Sequence, residues 1–264
     1  MERGLVSSRE KARGLILAGQ VLVNGACISK AGELCVNTDE VSLKSLPRYV
    51  SRGGDKLESF HKISSFEISG LIFMDVGSST GGFSDYLLQH GALRVYAVDV
   101  GTNQLAYQLR QDERVVSLEK THILKLESSA IPDLIQGFVC DLSFISLNLV
   151  VPHLRNFAIQ DHFLVLLVKP QFEVQRDQVG KGGVVRDRDA IFKALLRVRV
   201  TLHQAGYGTE RVEFSRIAGP KGNVEFFFLA RPSVPDIVSE MDIFEKILEK
   251  ENFFARKSDL ATSD

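Results

Sequence analysis

The sequence predicts an α/β protein: a doubly wound, mostly parallel sheet with an antiparallel edge hairpin, preceded by a small α+β domain. From residue 71 onward, short apolar runs ("LIFMDV", "RVYAVDV", "VVSLE", "GFVCDL", "FLVLLVKP") alternate with stretches of helical spacing such as "SDYLLQHG" and "AIFKALLRVRVTLHQAG", the pattern of parallel strands joined by crossover helices. Two further runs, "RVEFSRI" and "VEFFFLA", are separated by "AGPKGN". That loop is too short for a helix, so these strands pair antiparallel at one edge. The front of the chain differs in pattern and in charge: residues 1–62 hold ten Lys and Arg against seven Asp and Glu, whereas residues 232–264 hold four against eight. A basic front end suits a nucleic-acid partner.

Taken in order, "SREKARGLILAGQVLVNGACI" opens with Ser8 as the cap of a helix on which Ala12, Leu15 and Ile16 share an apolar face while Arg9, Lys11 and Arg13 point elsewhere. Gly19 stops it, and "QVLVNGACI" reads as two short strands around the turn pair Asn24-Gly25. A helix with a basic face beside a hairpin is a compact platform for structured RNA, read through phosphates and shape. This segment, residues 1–46, resembles the S4-type RNA-binding domain, shortened at its front by one helical segment relative to that family. Pro47 ends the module, and residues 47–56 read as an interdomain linker in which Gly53 and Gly54, flanked by Arg52 and Lys56, either admit a phosphate to the backbone or serve as a plain hinge. The tail, 232–264, reads as an acidic amphipathic helix over 236–254 followed by a disordered end.

Composition excludes several classes. Apolar runs fall far short of the roughly 20 residues that span a bilayer, and no basic and apolar leader precedes the domain, so the expectation is a cytoplasmic protein that does not engage membrane. Cys27, Cys35 and Cys140 show no paired metal spacing and read as structural residues in a reducing compartment; no metal site is expected.

The chemistry begins at "DVGSSTGGF", Asp75 to Phe83, a strand, a glycine turn and a helix in succession. A P-loop would need Lys and then Ser or Thr after the last glycine, but Phe83 follows Gly82. A dinucleotide fingerprint would need glycine where Ser79 stands, whose side chain would crowd a pyrophosphate. What remains is an acid at a strand end followed by Gly77, Ser79, Thr80, Gly81 and Gly82, which suits a nucleoside carrying an amino-acid tail instead of phosphate. Asp75 can face the sulfonium and amine of S-adenosylmethionine, and Asp99, at the end of the next strand beside Val100, stands where a carboxylate takes ribose hydroxyls.

Methyl transfer is an in-line displacement that needs an aligned nucleophile and a base. Asp141 in "CDLSFISL" and Lys169 in "LVKPQFE" emerge at later strand ends, where doubly wound sheets bind ligands. A buried lysine, or one whose proton is drawn off by a carboxylate, can serve as base toward a hydroxyl. Lys56 and Glu225 complete a Lys-Asp-Lys-Glu set that could hold a ribose 2'-hydroxyl; each of the four, taken singly, could equally be a satisfied ion pair.

"VSRGGDKL", "DVGSSTGGF", "AVDVGTNQLAYQLRQDERV", "DLSFISL", "LVKPQFE", "GGVVRD" and "GPKGNVEF" occur in the order found in the TlyA family, sometimes labelled hemolysins and similar in turn to the FtsJ-like ribose methyltransferases. The resemblance spans roughly residues 3–231 and implies a Rossmann-like, S-adenosylmethionine-dependent methyltransferase domain over 57–231 that methylates the 2'-hydroxyl of a cytidine in ribosomal RNA, in the large subunit more firmly than in the small one. It places the catalytic set on Lys56, Asp141, Lys169 and Glu225, the donor at Asp75 to Gly82 and around Asp99, and a linker responsive to RNA at Pro47 to Val50. In "EKTH", His122 stands where the family has an Asn beside the donor's adenine, so donor affinity is expected to differ here. The connection Gln171 to Asp187, rich in glycine and bearing Arg176, Lys181 and Arg186, is expected to close over RNA and contribute phosphate contacts. Two other readings compete. Direct membrane lysis would need a spanning or basic amphipathic helix, and the 236–254 helix is acidic; an RNA-binding protein without catalysis would have no need of the four-residue set.

Overall fold

The computed structural model describes residues 3–6, 8–17, 19–44, 47–219 and 221–261, with side chains to residue 254 apart from that of Lys11. The chain divides into two compact units, Met1–Arg48 and Tyr49–Asp264.

In the first unit, α1 (Arg9–Leu17) begins with the Ala12 amide donating to the Ser8 carbonyl at 3.0 Å and ends where Gly19, at φ +65°, returns its amide to the Ile16 carbonyl at 2.9 Å. Strands β1 (Val21–Val23) and β2 (Ala26–Ile28) form the expected hairpin. Asn24 and Gly25 both have positive φ, 50° and 79°, as a two-residue turn matched to strand twist requires. A third strand, β3 (Val41–Leu43), pairs antiparallel with the other edge of β1 and was not visible in the sequence. Three residues are too few to display alternation; the strand is held in place by Asn24, which donates to Asp39 at 2.9 Å and accepts from the Glu40 amide at 2.8 Å. Cys27 and Cys35 are exposed.

The second unit begins earlier than the sequence suggested. Tyr49 is buried, and α2 (Arg52–Ser64) starts inside the stretch read as linker, capped by the Ser51 hydroxyl accepting from the Gly53 amide at 3.3 Å. Gly53 and Gly54 are therefore first-turn helical residues, and a side chain on Gly54 would meet the Tyr49 ring at 2.2 Å. There follow β4 (Ile72–Val76), α3 (Gly82–Gln89), β5 (Arg94–Val98), α4 (Tyr107–Arg110), β6 (Val115–Leu118), β7 (Ile135–Cys140), α5 (Leu147–Leu154), β8 (Ala158–Val168), α6 (Pro170–Glu173), α7 (Arg188–Gln204), β9 (Tyr207–Phe214), β10 (Phe226–Pro232) and α8 (Glu240–Ala261).

The strands order as β6-β5-β4-β7-β8-β10-β9. Neighbours from β6 through β8 run parallel, and β10 is antiparallel to both β8 and β9. Side chains alternate between two core layers: Met74, Phe138, Leu164 and Leu166 face one side with Val150, Leu195 and Ile243, while Phe73, Val139, Val165 and Leu167 face the other with Leu57, Phe60 and Leu87. Burial on both faces is why "FLVLLV" is apolar at every position. Chain order reverses between β4 and β7, which opens a crevice at their C-terminal ends.

Two segments depart from expectation. The connection after Lys169 is not an open loop: α6 follows at once, and short 3-10 turns span Arg176–Gln178 and Lys181–Gly183. The tail helix starts at Glu240, not at 236, and buries Ile243 and Ile247 in the core; residues 262–264 lie outside the described residues. No helix among the described residues is long and apolar enough to cross a membrane.

Candidate active site

Three adjoining clefts occupy the crevice, and Asp141 and Ser143 line all of them. The first, about 460 Å³, is walled by Val98, Asp99, Val100, Thr121, His122, Ile123 and Leu142. The second, about 170 Å³, lies along the glycine turn and takes in Asp75, Gly77, Ser79, Thr80 and Gly82. The third, about 520 Å³, is bounded by Arg52, Lys56, Lys169, Lys221 and Glu225.

The glycine turn is shaped by contact. Gly77, at φ +84°, is pressed so closely to the end of β7 that a Cβ would stand 2.8 Å from the Asp141 carbonyl oxygen. At Gly82 a Cβ would meet the Ser51 hydroxyl at 2.2 Å and the Gly54 nitrogen at 2.9 Å, so the first turns of α2 and α3 can approach this closely only with glycine at position 82. Gly81, at φ +93°, packs behind the turn, where a Cβ would meet Leu105 and Leu109, and lines none of the three clefts. Ser79 itself adopts φ 49°.

Asp75 is fully buried. Its Oδ2 accepts from the Ser84 amide at 3.0 Å and the Ser84 hydroxyl at 2.6 Å, while Oδ1 has no hydrogen-bond partner among the described residues. Burial pushes its carboxyl up to about 7, with Asp141 and Asp99 adding repulsion and Ser84 opposing. Asp99 ties the turn to the next loop, accepting from the Ser79 amide at 2.8 Å and the Gly101 amide at 2.6 Å. His122 stands in the first cleft, beside Asp99, its Nδ1 accepting from the Leu124 amide at 3.3 Å.

On the other side the four candidate catalytic residues form two ion pairs. Lys56 Nζ lies 2.5 Å from Glu225 Oε2, with both side chains almost wholly buried. Lys169 Nζ lies 2.6 Å from Asp141 Oδ1 but off the hydrogen-bond axis, and donates a hydrogen bond to Ser143 Oγ at 3.0 Å. Burial raises the Glu225 carboxyl and Lys56 opposes it. Chemically this is a proton-holding corner between a narrow acidic cleft and a wide, cation-lined one.

Among the candidate RNA contacts, Arg52 lines the wide cleft, whereas Arg186 is exposed beside Gly180 and does not. In the first unit Arg9 and Arg13 are exposed along a shallow cleft on α1; the side chain of Lys11 is outside the described residues. No group of three or more His, Cys, Asp or Glu among the described residues is arranged to hold a metal. Sequence reasoning missed Ser143 and Glu119. Glu119 accepts from the amides of Asn103, Gln104 and Leu105 at 2.9, 2.7 and 3.1 Å, fixing the loop beside Asp99. A serine in "DLSF" and an acid in "EKTH" carry no pattern of their own; only the fold gives them their partners.

A sheet of this order, with a glycine turn after β4 and an acid after β5, is that of a nucleoside-binding α/β enzyme. The profile of the FtsJ-like methyltransferases matches residues 49–231 and that of the S4 domain residues 2–41. The chain belongs to the FtsJ-like methyltransferase family, and within it to the TlyA proteins. It is 41% identical over 233 residues to the 16S/23S rRNA (cytidine-2'-O)-methyltransferase TlyA of Mycobacterium tuberculosis strain H37Rv, covering 88% of this chain and 87% of that protein. It is 40% identical over 224 residues to Hemolysin A of Brachyspira hyodysenteriae, covering 84% and 93%. A solved structure from Streptococcus thermophilus superposes with a TM-score of 0.79 at 38% identity, covering 98% of this chain and 95% of that one.

Proposed function

We propose that this protein transfers a methyl group from S-adenosylmethionine to the 2'-hydroxyl of a cytidine in ribosomal RNA. The observation that carries the reading is the junction at Asp141 and Ser143, where the narrow acidic cleft and the wide cation-lined cleft meet beside the Lys169 ammonium. The residues fit the donor. Asp75 offers a buried carboxylate oxygen without a partner among the described residues, the glycine turn leaves room that a Cβ would fill, and the 460 Å³ cleft has apolar walls for a base with Asp99 at its rim. When bound, S-adenosylmethionine supplies an electrophilic methyl group on a sulfonium.

The chain's residues do the rest. In its neutral form Lys169 would take the proton of the 2'-hydroxyl, leaving the oxygen free to accept the methyl group. Asp141 holds the resulting ammonium, and the Lys56–Glu225 pair fixes the ribose from the opposite wall. The test is transfer of labelled methyl to purified small and large ribosomal subunits lacking the modification. Label at a cytidine ribose is expected; donor binding with no label on either subunit would overturn the reading.

Two expectations arise here. Because the folded-state pKa of Asp75 is raised to about 7, its carboxylate forms in the folded protein only as pH rises through that value. Affinity for the cationic donor should climb with pH, by at most about tenfold per unit, and level off above about 7. The same shift means that this group's contribution to stability is present at low pH and fades as pH rises toward 7 in the donor-free protein. Calorimetric titration from pH 6 to 8.5 should show the rise in wild type and a flat profile in Asp75→Asn. On the acceptor side, Arg52→Ala and Arg186→Ala should each weaken RNA binding and reduce the slope of log affinity against log salt by about one. An unchanged slope in either variant removes that residue from the interface.

A further inference from the structure

We propose that Glu173 is a positioning residue that locks the loop Asp141–Ser146 against the segment Lys169–Glu173 and so sets the Lys169–Asp141 pair, an inference that rests on the catalytic reading of that pair. The two segments lie side by side and are fastened at three levels. At one end is the Lys169–Asp141 ion pair, 2.6 Å, with the Ser143 hydroxyl 3.0 Å from Lys169 Nζ. In the middle the rings of Phe144 and Phe172 meet with centroids 5.0 Å apart. At the other end the Glu173 carboxylate accepts from the Ser146 hydroxyl at 2.6 Å, the Leu147 amide at 2.9 Å and the Asn148 amide group at 3.4 Å.

The geometry makes this last fastening consequential. One side of the pairing is stiff: the Phe172 amide returns to the Lys169 carbonyl at 2.9 Å and the Val174 amide to the Pro170 carbonyl at 3.0 Å, so Lys169 and Glu173 are held one short helical turn apart. The other side is not stiff by itself. Phe144 adopts φ +66°, a left-handed conformation that a bulky residue keeps only when its surroundings impose it, and at 92% exposure its own burial supplies little of that constraint. Glu173 is 6% exposed, and burial raises its carboxyl while the Ser146 and Leu147 bonds oppose the rise. A carboxylate is rarely buried so far unless it is fully engaged. It takes three donors at the start of α5, whose own cap is Ser146 through the Asn148 amide at 3.1 Å. The loop between that anchor and β7 carries Asp141, Ser143 and Phe144, which together form the partition between the donor-side and acceptor-side clefts. Releasing the anchor lets the partition move while Lys169 stays where β8 put it.

The experiment compares Glu173→Ala and Glu173→Gln in the full chain, with Ser239→Ala as a control that removes a helix cap on α8 far from the clefts. Glutamine can keep both main contacts, accepting from the Leu147 amide and donating to Ser146 with that hydroxyl reversed. Two readouts are taken: backbone hydrogen exchange across 142–147, and steady-state methyl transfer to ribosomal RNA. In Glu173→Ala, exchange across 142–147 should rise by about tenfold or more with β4 unaffected, and kcat should fall by about tenfold or more while RNA KM and donor Kd stay within about twofold. Glu173→Gln should restore kcat to within about threefold, and Ser239→Ala should change neither readout. Unchanged exchange, or faster exchange with wild-type kcat, overturns the proposal and leaves Glu173 a helix cap. If wild-type protein transfers nothing to RNA, the functional reading falls, and the exchange readout alone decides whether Glu173 anchors the partition. If Glu173→Ala does not fold, Ser146→Ala, which removes the 2.6 Å bond together with the 3.1 Å cap on the Asn148 amide and leaves the Leu147 bond in place, carries the same two readouts.

Discussion

Lys169→Ala is expected to lower the rate of methyl transfer by about 10² to 10⁴-fold, the contribution typical of a positioned acid or base. Donor affinity and thermal stability should stay close to wild type. The separation of these effects follows from where the side chain lies. Lys169 leaves the sheet at the end of β8, its backbone fixed by Pro170 and by the Phe172 amide, so truncating the side chain does not disturb the strand. Its partner Asp141 is about a quarter exposed, so a carboxylate left without its lysine can be hydrated and the fold loses little. What disappears is the amine beside the junction of the two clefts. Single-turnover transfer at saturating donor and RNA isolates that step: a low rate with normal binding supports Lys169 as the base, whereas a rate within about twofold of wild type would hand that role to another group.

The parts legible in the sequence are those in which one physical cause dominates a continuous stretch. "FLVLLV" is buried on both faces and reads as a central strand; Asn24-Gly25 needs two positive φ angles and reads as a hairpin. The glycine turn is legible for the same reason, since Gly77 and Gly82 each answer a close approach. What escaped depends on partners distant in sequence. β3 is three residues long and held by Asn24 from across the hairpin. The start of α2 was masked by Gly53-Gly54, which in isolation suggest a hinge, but here fit under Tyr49 and against Gly82. The four candidate catalytic positions could be singled out one at a time, but their division into a buried Lys56–Glu225 pair and a partly exposed Lys169–Asp141 pair is a property of the folded sheet, the members of the first standing 169 positions apart in the chain.

That division predicts a second large effect, of the opposite kind. Lys56→Ala should destabilise the protein by about 3–5 kcal/mol, because it strands a carboxylate that is 1% exposed and whose Oε2 is held by Lys56 at 2.5 Å. The deficit should depend on pH in a definite direction. Burial already raises the Glu225 carboxyl in the folded state, and removing Lys56 raises it further. A group whose folded pKa lies above its unfolded value contributes its stability below the unfolded pKa and loses it as pH rises, so the gap between variant and wild type should be small near about pH 5 and wide near about pH 8. Thermal unfolding at both values checks this, and a gap independent of pH would mean that Glu225 is not the stranded group. The double replacement Lys56→Met with Glu225→Leu then separates stability from function. Exchanging a buried ion pair for packed apolar side chains is often neutral or stabilising, so the double variant should recover most of the lost stability. On the proposed assignment it should recover none of the methyl transfer, because an apolar wall cannot hold a ribose hydroxyl. Stability without activity would mean that the pair is kept for its place at the acceptor cleft, and a fully active double variant would leave Lys169 and Asp141 to carry the chemistry alone.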